Sequence, residues 1–87
     1  MTLDKATKPG PPKTLMQAHV ELVRIRPGRD ASLAAWLAYH QKSAALYAEL
    51  AEIDRGHHHE CLYWAERERA STEELAAQIR TQMPHTR

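Results

Sequence analysis

The densest run of chemically capable side chains is Glu49, Glu52, Asp54, His57, His58, His59, Glu60 and Cys61. Imidazole and carboxylate groups crowded into one turn are the donors a first-row divalent metal takes. Asp54 and His58 are i,i+4 on a continuous helix, and His57 and Glu60 are i,i+3. His40 lies inward on the same seam, so the candidate metal ligands are His40, Asp54, His57, His58 and Glu60. Several features oppose this reading. Three consecutive imidazoles on a helix point about 100° apart, so one site takes two at most. A histidine near a helix N-terminus is disfavoured in its charged form and serves readily as a neutral hydrogen-bonding group. Glu49 and Glu52 fall on the wet side. Carboxylate-bridged metal bundles place a Glu opposite Glu-x-x-His pairs. This chain has the reverse order, His57-x-x-Glu60, and Asp54-x-x-His57 spanning a presumed turn. The comparison supports a shape and not di-iron chemistry. The expectation is therefore no cofactor, with a first-row divalent metal as the alternative.

Other chemistry is harder to assemble. Cys61 has His57 one turn away, but a helix interior offers no oxyanion hole, so it reads as a buried, inert thiol. Gly-rich phosphate loops, Ser-His-Asp orders and C-x-x-C zinc patterns are absent. The sequence is read as non-enzymatic. Tyr63-Trp64 follow Cys61-Leu62, and a helix cannot bury four bulky consecutive residues on one face. At least one aromatic must point elsewhere, and aromatic residues are favoured at the centres of interfaces. Trp36, Tyr39, Leu46, Leu50, Tyr63 and Trp64 form the candidate interaction set.

The elements that would carry these residues are helices. Residues 1–13 hold three of the five prolines and read as a disordered arm. Thr14-Leu15-Met16-Gln17 fits a capping box. Leu15, His19, Leu22 and Val23 then share a helical face that Pro27-Gly28 terminates. The competing reading is a strand, because Val20, Leu22 and Ile25 partly alternate with polar residues; with no second strand to pair with, helix is preferred. Asp30 or Ser32 caps a second helix running to about Arg55. Its apolar arc combines Leu33, Leu37, His40, Ala44, Tyr47 and Ala51 with Trp36, Ser43, Leu46, Leu50 and Ile53, which is wide enough to need two neighbours. Gly56 is expected in the left-handed position that ends a helix. A third helix starts within His57–Glu60 and stops before Pro84. It buries Cys61, Leu62, Ala65, Thr72, Leu75, Ala76, Ile79 and Met83, with Glu68 awkwardly near the seam. Arg69 and Glu73 form an i,i+4 pair on its outside. The tail 84–87 is expected to fray.

The 4-3 spacing runs unbroken through Gly56 from position 33 to 79, and one continuous helix would be ~75 Å long. A hairpin is preferred, because a mid-helix glycine costs about 1 kcal/mol and folding back buries more surface. The expected fold is all-α, one domain over 14–83. A short N-terminal helix precedes a long antiparallel hairpin, and two copies dimerise into a four-helix core.

With 87 residues, one cysteine and a formal charge of +1, the chain has neither a disulfide staple nor a basic stripe for nucleic acid. A partner subunit is the remaining remedy for a core this small. No apolar run reaches the ~20 residues of a membrane span. A lone thiol without a recognisable signal peptide points to the cytoplasm.

The stretch from Tyr39-His40 through Ile53-Asp54-Arg55-Gly56-His57-His58-His59-Glu60 to Tyr63-Trp64-Ala65-Glu66-Arg67-Glu68-Arg69 resembles a family of short actinobacterial helical proteins with no known activity. The resemblance covers roughly the last two thirds of the chain. It implies that the three histidines are native, and it transfers no site.

Three functional expectations follow. The first is a non-enzymatic, homodimeric helical module that binds a protein partner or serves regulation. The second is a metal-binding bundle built on the histidine turn. The third is a small transcriptional accessory factor, with Arg24, Arg26 and Arg29 touching phosphate.

Overall fold

The computed structural model describes residues 10–82, which form helices α1 (Leu15–Arg24), α2 (Leu33–Ile53) and α3 (His58–Gln82). The arm before Gly10, Met83 and the tail 84–87 lie outside the described residues. A single 3-10 turn, Arg55–His57, joins α2 to α3, and no strand occurs among the described residues. The all-helical reading and the hairpin over the continuous helix are what the structure has.

Local chemistry sets the boundaries. The Thr14 hydroxyl accepts the Gln17 N–H at 3.1 Å, as a capping residue should. Gln17 reaches back one residue further than a capping box predicts, its Oε1 accepting the Lys13 N–H at 2.8 Å. Ser32, rather than Asp30, caps α2 by accepting the Ala35 N–H at 3.1 Å. At the far end α2 stops at Ile53, because Asp54 leaves the helix with φ −95° and ψ 73°.

Gly56 is a correction. It sits inside the 3-10 turn and not in a left-handed terminal position. The reversal is made at Asp54, so the glycine is not required to take a positive φ.

Helix α1 runs back along α2. Leu15 meets Asp54 at one end, Leu22 meets Tyr39 near the other, and Arg26 reaches Trp36 beyond its C-terminus. Leu15, Ala18 and Leu22 pack on Tyr47, Leu50 and Ala51 of α2 and on Cys61 of α3; Ile25, Tyr39, Leu46, Trp64 and Ala65 close the edges. Ser43 is buried among them, its hydroxyl donating to the Tyr39 carbonyl at 2.9 Å. The wide arc of α2 thus finds its two neighbours, α1 and α3, inside one chain.

Three expected core positions fall outside, among them Ile53, which ends α2 at 50% exposure. Val23 is exposed, because α1 turns Ala18 rather than Val23 toward α2. Leu62 is 44% exposed, about 100° around α3 from Cys61, the residue that faces α2.

The core is also short. Every buried residue of α2 lies between Ser43 and the hairpin turn, and Cys61 is the one buried residue in all of α3. From Glu68 onward α3 lies against α2 with Thr72, Leu75, Ala76 and Ile79 only partly covered.

Candidate functional site

At the hairpin turn, Asp54 is the organising group. Its Oδ2 accepts the Leu15 N–H at 2.9 Å and the His57 Nδ1–H at 3.0 Å. One carboxylate therefore serves an orphan amide at the start of α1 and orients the imidazole that opens the 3-10 turn. These bonds, the Leu15 amide foremost, hold its pKa below the ordinary carboxylate value. With Nδ1 committed, His57 turns Nε2 toward Glu60 Oε1 at 3.9 Å. His58 points the other way and donates from Nδ1 to the Ala51 carbonyl at 2.7 Å, which the Arg55 guanidinium also reaches at 3.2 Å. His59 stands exposed beside it.

The expected ligand set is thus divided. Asp54, His57 and Glu60 line up through His57, His58 caps a carbonyl, and His40 lies about 21 Å up α2 from Asp54, at 1.5 Å per residue. Among the described residues, no three His, Cys, Asp or Glu side chains gather in a metal-binding arrangement.

His40 belongs to a second cluster. Its Nδ1 lies 2.5 Å from Glu68 Oε1, and both side chains are about four-fifths covered, at 20% and 18% exposure. The Trp36 ring stacks on His40 at 5.9 Å between centroids. The awkward glutamate of α3 therefore meets a partner in its own chain. Thr72 continues the seam by donating its hydroxyl to the Glu68 carbonyl at 2.9 Å. Below it, Tyr47 shares a 2.7 Å hydrogen bond with His19 Nδ1, and its ring stacks with Trp64 at 6.0 Å. His19 meets the edge of Trp64 at 5.3 Å. Burial first, and the Glu68 charge second, push the Tyr47 phenol up to about 12, so it stays protonated. Tyr39 completes the set by donating to the Leu22 carbonyl at 2.9 Å. Two tyrosines of α2 thereby hold α1 at its middle and its end.

Cys61 is fully buried, and burial with the nearby Asp54 and Glu60 charges raises its thiol above the usual value. That disfavours the thiolate a nucleophile requires.

Of the interaction set, Leu50 is fully buried beneath α1 and has no surface to offer. Tyr39, Leu46 and Trp64 are part-buried on the core, and Trp36 is half-buried with the Arg26 guanidinium 5.4 Å from its ring. Tyr63 is 55% exposed, with Arg67 5.8 Å from its centroid. The basic residues offered for phosphate are partly engaged as well. Arg24 grips both oxygens of Glu21, at 3.1 and 2.8 Å.

An exposed stripe on α1 was not foreseen. Met16, Val20 and Val23, at i, i+4 and i+7, are 69%, 63% and 73% exposed on the face opposite Leu15, Ala18 and Leu22. A groove beside it runs between Pro11–Lys13, Met16, Val20 and Arg24 on one side and Lys42 and Leu46 on the other. The spacing was visible in the sequence, but the strand-like alternation of Val20 with Leu22 and Ile25, and the placing of Val23 on the inner face, obscured it.

No protein-family model, curated protein or solved structure matches this chain. No helix among the described residues is long and apolar enough to cross a membrane.

Proposed function

We propose that this chain is a non-enzymatic helical interaction module that pairs with its own copy and presents an apolar, aromatic edge to a protein partner. The observation that carries the reading is the mismatch between core and surface. A 25-residue helix buries one residue, while Met16, Val20, Val23, Ile53, Leu62 and Tyr63 stand 44–73% exposed. Single exposed apolar residues are ordinary, but a helical stripe of them is what a partner covers. The polar clusters point the same way. Asp54 caps a helix, His40 and Glu68 are hydrogen-bonded to each other, and Cys61 is enclosed, so each has a structural task within the chain.

The test is thermal unfolding of the untagged protein over a hundredfold range of concentration, with and without a metal chelator. Self-association makes the melting temperature rise with concentration. The reading expects that rise and no response to chelator. A concentration-independent melting temperature contradicts it, and stoichiometric metal whose removal lowers the melting temperature favours a metal-binding bundle instead.

A further inference from the structure

We propose that the second copy docks two-fold on the face where Met16 and Val20 of α1 line a groove with Lys42 and Leu46 of α2, along the α2 stripe that Glu49 and Ile53 continue, with α2 antiparallel to α2. The proposal rests on the homodimer reading above and assigns it a surface. Positions 42, 46, 49 and 53 recur at 4-3-4 spacing, so they form one stripe along the helix. Leu46 stands with its base on the core and its edge in the groove, while Ile53, Met16 and Val20 are half or more exposed.

The charges around this apolar centre are what select a second copy. An isologous interface must be complementary to itself. Lys42 lies one turn before Leu46 and Glu49 one turn after it, both exposed, and neither forms an ion pair with another described residue. Glu21, whose carboxylate feels the Lys42 charge, is already held by Arg24. When two such stripes cross antiparallel at Leu46, Lys42 of each copy meets Glu49 of the other. The result is two ion pairs about one Leu46–Leu46 contact. A foreign helix of one charge sign would satisfy one end of the stripe and be repelled at the other.

The experiment is sedimentation equilibrium of the full chain over a concentration series, for wild type, Lys42→Glu, Glu49→Lys and the double reversal. Each single reversal brings like charges together twice and is expected to weaken the dimer about tenfold or more. The double reversal regenerates both pairs and is expected to return the dissociation constant to near wild type. Circular dichroism on the same samples checks that these exposed substitutions leave the helices intact. A wild-type dimer that the single reversals do not weaken, or a double reversal as weak as the singles combined, overturns this surface and leaves the homodimer reading standing. A wild-type monomer at every concentration overturns both.

Discussion

Asp54 shows how one side chain can be given the wrong vocation by its neighbours in sequence. Beside three histidines it looks like a ligand, yet the nearest amide to its carboxylate belongs to Leu15, far back in the chain. Nothing local announces that contact, because it exists only once α1 folds back along α2. It carries a pH prediction with a definite sign. The folded pKa is depressed below the ordinary aspartate value, so the stabilisation is fully present above that ordinary value and is lost as pH falls through the lower folded one. Melting temperature measured from pH 6 downward should drop across the acid range below about 4. Asp54→Asn should be less stable at neutral pH and flatter in that range. An unchanged slope would mean the carboxylate does not carry the contact.

Glu68 was legible in a different way. It and His40 both fall on the inward 4-3 series, and folding that series about its turn brings the two polar positions opposite each other. Reading each helix separately hid the pairing. Because both side chains are mostly covered, Glu68→Ala should cost about 1–3 kcal/mol in urea unfolding, by leaving His40 without its acceptor. Glu73→Ala, which removes an exposed partner of Arg69, should stay within about 0.5 kcal/mol. Equal effects would contradict the distinction.

At the scale of elements, capping residues and apolar periodicity were the readable signals. Thr14 and Ser32 start the helices that their hydroxyls predict, and Pro27-Gly28 follows the end of α1. The turn was less readable, because glycine after a helix suggests a left-handed terminus, whereas here Asp54 ends α2 and Gly56 sits within a 3-10 turn. A Cβ added at Gly56 would meet no atom within 4 Å, and its φ is not positive. Gly56→Ala should therefore stabilise the protein by about 0.4–1 kcal/mol, chiefly by restricting the unfolded chain. Urea unfolding with an unchanged slope checks this, and destabilisation would show that the turn needs the glycine. Which face of α1 is buried was also hard to read. Ala18 is a weak hydrophobic signal beside Val20 and Val23, yet close approach to α2 favours the smaller residue.

The described residues form a three-helix arrangement whose core fills one end. Composition gave that much in outline: a chain of 87 residues with one cysteine has little to stabilise it besides apolar burial. The wide arc of α2 was correctly recognised as needing two neighbours, but α1 occupies the place assigned to another protomer. What α1 leaves behind is its own outer stripe, Met16, Val20 and Val23, and the exposed run of α2 beside it. On this account association is a property of that surface and not of an unfinished hairpin. The most direct measurement is the mass of the untagged chain by sedimentation equilibrium at micromolar concentration. The account predicts twice the 9.9 kDa of one chain, falling toward the single value on dilution. A mass of one chain throughout would contradict it.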